Sequence, residues 1–214
     1  MGITNFGGDE VVYSYEESQI IIVPVPYDAT STYIRGADRG PAAILDASPA
    51  LEFYDIETGY EAHKRGIHTL PPMECGDDPA GLAEEVYRTL SGLFAEKRFP
   101  VVIGGNHTVS IGAFRAASEA FAGLTILQLD AHSDLRPVYE GSHLNHACAA
   151  ARAREYAPLV QVGIRSMSAE ELPFVDRERI FYAHELWTDK SLYGKALDLL
   201  SGNVYITLDL DVFD

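Results

Sequence analysis

Short apolar segments alternate with longer amphipathic segments along most of this chain. Residues 20–25 form a run of isoleucine and valine interrupted by one proline, as expected of a buried strand. Residues from 79 to about 96 instead place leucine and valine at helical spacing, with polar residues between them. Regular alternation of strands and helices predicts a mainly parallel sheet covered by helices on both faces.

The other predicted elements continue this alternation. Strands are predicted at 99–103, 125–129, 159–162, 180–182 and 204–208, and helices at 41–47, 108–121, about 145–156 and 192–200. The apolar run at 204–208 predicts a strand that is buried on both faces. The sequence contains no repeat, low-complexity tract or linker, so we expect one domain spanning residues 1–214, of three-layer αβα architecture.

Composition and charge narrow the class of protein. With 214 residues, of which 47% are hydrophobic, the chain can bury one substantial core. A net charge of -16 disfavours binding to nucleic acid or to anionic membranes and favours a small cationic substrate. Cys75 and Cys148 lack the spacing of a disulfide framework or a thiolate metal site. Without a membrane-spanning run or a signal segment, we expect a cytoplasmic protein.

Asp130, His132 and Asp134 follow directly on the predicted strand 125–129. In an extended backbone, residues at positions i, i+2 and i+4 point to the same side. Two carboxylates and an imidazole would therefore converge at a strand end, where ligands bind in open α/β sheets. This arrangement suits a divalent metal better than it suits a core.

Two more predicted strands end in similar side chains. His107 follows the strand at 99–103, whereas Asp209 and Asp211 follow the strand at 204–208. Each motif alone is also compatible with a polar turn or a solvated strand end, but together they predict a metal site. Four carboxylates and two imidazoles without sulfur favour a hard divalent ion such as Mn²⁺ over structural zinc.

These segments resemble the signatures of the ureohydrolase family, which includes the arginases and agmatinases. The resemblance rests on Gly-Gly-Asn-His at 104–107, Asp-Ala-His-Ser-Asp at 130–134, Asp-Leu-Asp-Val-Phe-Asp at 209–214, and the upstream segments 23–28 and 35–44. It implies an arginase-like fold, two Mn²⁺ per chain and a homo-oligomer, either a trimer or a hexamer. It further implies that Asp130 and Asp209 bridge the ions, His107 and Asp134 complete one, and His132 and Asp211 complete the other.

The resemblance also implies a reaction and a proton donor. A metal-activated water would attack a guanidinium carbon and release urea and an amine. His146, which precedes Ala-Cys as in agmatinases, would act as the proton shuttle. Alternatively, His146 only opens the following helix, with Asn145 as its N-cap. His143 in the same loop is expected to have no catalytic role.

Substrate choice is read from the loop at 135–143, which lacks the Ser-Gly-Asn pattern of arginases. We therefore expect agmatine, with putrescine and urea as products. The alternatives are guanidinobutyrate, arginine, formiminoglutamate, or a catalytically silent metal-binding subunit. Arg136 could bind a substrate carboxylate, but we expect it to form an ion pair with Glu140.

Two features depart from the family pattern. Asn106 occupies a position where the family often has an acidic residue, so a charge beside His107 is lost. Family members also continue beyond the last metal motif with further strands and an acidic residue that contacts the guanidinium. We therefore expect a chain that ends at Asp214 to be a truncated ureohydrolase with weakened metal binding.

Overall fold

The computed structural model describes residues 5–213, and the seven strands within that range are all parallel. They form two sheets, one of order β2-β1-β3 and one of order β6-β5-β4-β7. The strands are β1 (Ile20–Val25), β2 (Ile67–Thr69), β3 (Phe99–Gly104), β4 (Leu124–Leu129), β5 (Leu159–Ile164), β6 (Ile180–Tyr182) and β7 (Asn203–Leu208). The expected parallel α/β fold is confirmed, with its strands divided between two sheets.

Six α-helices lie in the described part of the chain. They are α1 (Gly40–Ala47), α2 (Pro79–Ala95), α3 (Ser110–Ala120), α4 (Ala149–Tyr156), α5 (Ala183–Thr188) and α6 (Ser191–Asp198). None of the described helices is long and apolar enough to cross a membrane. The short elements β2 and α5 were not predicted, because Ile67–Thr69 lacks the apolar run of the equally short β6, and six residues are too few for a helical period to stand out.

The two faces of each sheet pack against different helices, which gives three layers. On β1, Ile21 and Val23 pack with α2 and α3, whereas Ile22 packs with Leu45 of α1. In the second sheet, Ile126 of β4 packs against α3 and α4. Leu127 of the same strand joins the cluster formed with α5 and α6. This alternation follows from the two-residue period of side chains along a strand.

Strand β7 is less buried than its apolar sequence predicts. Ile206 is 59% exposed and Leu208 is 45% exposed, whereas Thr207 is buried. Pairing with β4 occupies one edge of β7, and its other edge faces a groove that β3 lines from the opposite side. The groove has a volume of about 770 Å³. The prediction that β7 is buried on both faces is therefore wrong, because this edge and one face have no covering element among residues 5–213.

Candidate metal centre

The carboxyl ends of β3, β4 and β7 bring the predicted ligands together. Directly after β3, Gly105 packs against the backbone of Tyr27 so closely that an added Cβ would lie 2.0 Å from its carbonyl oxygen. Asn106 then caps a 3₁₀-helix that begins at His107, its side chain accepting a 3.2 Å hydrogen bond from the Thr108 amide. The amide nitrogen of Asn106 donates to the hydroxyls of Thr30 and Ser31. Asn106 therefore ties the His107 turn to the loop after β1.

His107, Asp130 and Asp134 form a buried group. His107 Nδ1 lies 3.2 Å from Asp130 Oδ2 and 3.0 Å from Asp134 Oδ2. Asp130 is only 1% exposed, and Asp134 is also buried. The three ligand atoms lie within 4.8 Å of one another, close enough to hold one metal ion.

The environment of His107 fits a metal ligand. Its Nδ1 is buried and makes no well-aligned hydrogen bond despite the two nearby carboxylates. Its other ring nitrogen, Nε2, lies 2.9 Å from the hydroxyl of Thr207 on β7. With a proton on Nε2 donated to Thr207, the lone pair of Nδ1 faces the two carboxylates, as it must to bind a cation.

A second group consists of Asp130, His132 and Asp211. His132 Nδ1 lies 2.9 Å from Asp211 Oδ2 and 3.8 Å from Asp130 Oδ1. Here the side chains are open to solvent, since His132 is 55% exposed and Asp211 is 41% exposed. Asp130 belongs to both groups and offers one carboxylate oxygen to each. This is the arrangement expected of a bridging ligand between two ions.

Asp209 belongs to neither group. Its carboxylate accepts a 3.1 Å hydrogen bond from the Asp211 amide and caps the 3₁₀-helix Leu210–Val212. The two aspartates therefore do not continue β7 as an extended pair, because the strand ends at Leu208. The Asp211 carboxylate instead accepts a 3.0 Å hydrogen bond from the Ala131 amide, which joins the end of β7 to the loop after β4.

The side chains of the loop after β4 are also brought together in a different way from the one predicted. The extended backbone ends at Leu129, so Asp130, His132 and Asp134 do not simply alternate along a strand. Asp134 has a φ of 51°, a left-handed conformation that is uncommon for residues other than glycine. A turn at this residue, rather than the strand period, directs the Asp134 carboxylate to His107.

Two buried glutamines fix the shared carboxylate. Gln128 donates a 2.8 Å hydrogen bond to Asp130 Oδ2, and its own carbonyl oxygen accepts one of 2.8 Å from Gln161. Gln161 also donates to the carbonyl of Ser133 at 2.7 Å. Sequence reasoning missed this network, although a glutamine within the apolar β4 was a signal that could have been followed.

Burial and mutual charge shift the proton affinities of the centre. Burial opposes charge on His107, but the close carboxylates of Asp130 and Asp134 outweigh it and raise the pKa of His107 well above the ordinary value. Burial raises the pKa of Asp134 to about 6, and it also raises the pKa of Asp211. A divalent ion would supply the positive charge that keeps such carboxylates ionised.

His146 opens the 3₁₀-helix His146–Cys148, which Asn145 caps by accepting a 3.1 Å hydrogen bond from the Ala147 amide. The cap by Asn145 that the alternative interpretation of this segment expected is therefore present, and the catalytic role of His146 stays a prediction. Burial lowers the pKa of His146, and the nearby charges of His107 and His132 lower it further. Its Nδ1 is buried without a hydrogen-bond partner among residues 5–213. A neutral imidazole with a free nitrogen beside the centre can accept and return a proton.

Arg136 corrects another expectation. It pairs with the buried carboxylate of Glu171, at 3.8 Å, rather than with Glu140. Its guanidinium also lies over the ring of Tyr139, 4.3 Å from the ring centre. Glu171 itself was not singled out in the sequence, because its place under the metal loop is set by tertiary packing. His143 is exposed, whereas His146 is half-buried.

The fold and this donor set define a parallel α/β protein with a candidate metal centre at the carboxyl ends of its strands. A sequence profile of the arginase family matches residues 18–214, and the chain belongs to this family.

Its similarity extends to individual proteins. It is 38% identical to an N(1)-aminopropylagmatine ureohydrolase of Thermus thermophilus over 94% of this chain and 70% of that protein. It is 34% identical to the Synechocystis enzyme of the same name, over 100% of this chain and 73% of that protein. The agmatine ureohydrolase structure of Thermoplasma volcanium superimposes with a TM-score of 0.87 at 29% identity, covering 99% of this chain and 72% of that chain.

Proposed function

We propose that this chain holds two Mn²⁺ ions and hydrolyses the guanidino group of agmatine or of a close N-substituted derivative, releasing urea. The observation that carries the proposal is the pair of ligand groups that share Asp130. His107 and Asp134 would complete the buried ion, and His132 and Asp211 the exposed one. Asp209, whose carboxylate accepts a hydrogen bond from the Asp211 amide, is proposed as the second bridge.

The chemistry requires a strong nucleophile, because charge and π-density in a guanidinium are spread over three nitrogens. A pair of divalent ions would supply an activated water near neutral pH. The residues of the chain then have separate tasks. Gln128 and Gln161 hold Asp130 in place, Thr207 orients His107, and His146 moves a proton to the departing amine.

The family resemblance and the net charge of -16 favour a cationic substrate. Agmatine fits the loop at 135–143, which lacks the arginase pattern, and gives putrescine and urea. The relatives from Thermus and Synechocystis carry the name N(1)-aminopropylagmatine ureohydrolase, so this longer polyamine is the second candidate. Both compounds present the same guanidinobutyl group and differ at the opposite end.

A urea-release assay on a panel of compounds tests the proposal. We expect Mn²⁺-loaded protein to release urea from agmatine or N(1)-aminopropylagmatine, at a kcat/KM well above that for arginine and guanidinobutyrate. The ratio of the first two values decides between the candidates. Formamide or ammonia released from formiminoglutamate, without urea from any guanidino compound, would contradict it. A catalytically silent subunit would bind Mn²⁺ and turn over none of the panel.

We also propose a cytoplasmic homo-oligomer, trimer or hexamer. Both cysteines are free thiols, as is usual in a reducing compartment, and Trp187 is 81% exposed with Leu197 63% exposed nearby in sequence. Light scattering coupled to size-exclusion chromatography would give the subunit number, and a monomer at micromolar concentration would contradict this part.

A further inference from the structure

Glu171 is a buried carboxylate that belongs to neither ligand group. It is only 4% exposed and lies on the 3₁₀-helix Ala169–Phe174, which follows β5. Burying a carboxylate is costly unless hydrogen bonds compensate for the lost water. The contacts of Glu171 therefore indicate what the carboxylate does in this fold.

These contacts are with residues on either side of a proposed metal ligand. Glu171 Oε1 accepts a 2.5 Å hydrogen bond from the Ser133 hydroxyl and a 2.9 Å hydrogen bond from the Leu135 amide. Asp134 lies between these two donors in the sequence. The Glu171 carboxylate is therefore hydrogen-bonded to the residue immediately before Asp134 and to the residue immediately after it.

The second oxygen anchors the carboxylate itself. Glu171 Oε2 accepts a 2.7 Å hydrogen bond from the Ser168 amide, which closes a capping box at the start of the 3₁₀-helix. Arg136 lies 3.8 Å from the same oxygen. Burial favours the neutral form, but the hydrogen bonds from Ser133, Ser168 and Leu135 outweigh it and lower the pKa of Glu171.

Asp134 needs such support because its backbone is left-handed, with a φ of 51°. A residue with a side chain keeps this conformation only when its surroundings impose it. The preceding part of the loop is held by backbone pairing, since Ser133 donates its amide to Ser166 and the Ala131 carbonyl accepts from Arg165. From Ser133 onward, the turn is held by Glu171 and by three further hydrogen bonds: Gln161 donates to the Ser133 carbonyl, Ala151 donates to the Asp134 carbonyl, and Arg136 donates its amide to the Ala147 carbonyl.

We propose that Glu171 is a positioning residue that holds the Asp134 turn in its ligand-ready conformation and thereby sets the affinity of the buried metal ion. The inference rests on the proposed metal centre. Because Glu171 contacts the loop of Asp134 and neither His132 nor Asp211, the exposed ion should be affected far less. The described hydrogen bonds and ion pair of Glu171 go to Ser133, Leu135, Ser168 and Arg136, and none goes to a ligand atom.

Mn²⁺ titration by calorimetry tests this in the full chain. We expect Glu171→Gln to weaken binding of one ion roughly 10–100-fold, the range for residues that orient metal ligands, and to leave the second ion within about threefold. Glu170→Gln is the matched control, because Glu170 is exposed and adjacent. At saturating Mn²⁺, the kcat and KM of Glu171→Gln should return to wild-type values. A residue that contacts the substrate would not be rescued in this way.

Ser133→Ala gives a milder second variant that keeps the charge of Glu171 and the Leu135 contact. It should shift the affinity of the same ion in the same direction by a smaller factor. Equal affinities of wild type and Glu171→Gln for both ions would overturn the inference, as would equal weakening of both ions.

A metal-free measurement separates this inference from the proposed function. In apoprotein with unchanged far-UV circular dichroism, the Leu135 amide should exchange with deuterium at least tenfold faster in Glu171→Gln than in Glu170→Gln. If wild type binds no Mn²⁺, the proposed metal centre is contradicted. The exchange rate of the Leu135 amide still shows whether Glu171 holds the turn. Unchanged Leu135 exchange would show that Glu171 does not hold the turn.

Discussion

The two halves of the metal centre share Asp130 but differ in almost every other respect. The half with His107 and Asp134 is buried. Thr207 contacts His107, Gln128 contacts Asp130, and Glu171 holds the turn that carries Asp134. The half with His132 and Asp211 is open, with 55% and 41% of these side chains exposed. Buried ligands with few alternative rotamers lose less entropy when they bind an ion. We therefore expect the buried half to bind its ion more tightly.

The difference arises from where the ligands lie in the fold. His107 follows β3 of the first sheet, whereas Asp130 and Asp134 follow β4 of the second, so the buried half joins the ends of the two sheets. Asp211 follows β7, whose outer edge borders the groove. His107 of the buried half lines this groove, whereas the Asp211 carboxylate turns toward the loop after β4 and accepts a hydrogen bond from the Ala131 amide.

Replacing the shared ligand should have the largest effect. Asp130→Asn removes a carboxylate that contributes to both groups, so we expect both Mn²⁺ ions to be lost and urea release to fall to the level of the metal-free protein. Elemental analysis after gel filtration measures the first effect. Asp209→Asn is expected to behave similarly if it bridges, and retention of both ions in Asp209→Asn would leave it only as the cap of Leu210–Val212.

His146→Asn should separate catalysis from metal binding. Loss of a general acid or base reduces turnover roughly 10²–10⁴-fold, while both halves of the centre should keep their ions. His143→Asn, a change at an exposed histidine three residues earlier, is the control and should retain wild-type turnover. If His146→Asn instead loses metal, His146 is a ligand or a structural cap.

Single replacements at Asp134 and Asp211 test directly whether the buried half binds its ion more tightly than the open half. Asp134→Asn should abolish the tighter of two Mn²⁺ binding steps, and Asp211→Asn the weaker one. Both variants should retain about one ion per chain, measured by calorimetry and by the manganese signal in electron paramagnetic resonance. The comparison is wrong if Asp211→Asn removes the tighter step.

The regular elements could be predicted from the sequence because their signals are local. β1 was predicted with the bounds that the structure has, and α2 to within one residue, since β-branched runs and helical spacing need no knowledge of neighbours. The six candidate ligands were found for a similar reason, as they directly follow such strands. All of them except Asp209 lie in the two observed groups.

The features that were missed depend on contacts distant in sequence. Glu171 lies 36 residues from the Leu135 amide that it accepts from, and no periodic pattern links the two. The left-handed turn at Asp134 could not be predicted from a glycine, because the residue in that conformation is an aspartate. The exposure of Ile206 depends on which elements pack against β7, and the apolar sequence of the strand does not show which these are.

The smallest effect that we predict concerns how the thermal midpoint of unfolding depends on pH. We expect this dependence to change sign when Mn²⁺ binds. In metal-free protein the pKa of Asp134 is raised to about 6 and that of His107 is raised well above its ordinary value, so both contribute stability at low pH that is lost as pH rises through these values. The thermal midpoint of the apoprotein should therefore fall by a few degrees between pH 5.5 and 8, since about 2–4 °C corresponds to 1 kcal/mol in a chain of this size. Asp134→Asn should flatten this slope, because an amide does not ionise. With saturating Mn²⁺ the slope should change sign, because the ions bind only deprotonated ligands and compete with protons at low pH. Differential scanning calorimetry at several pH values measures all three slopes, and parallel curves with and without Mn²⁺ would mean that the ions do not bind at the buried half of the centre.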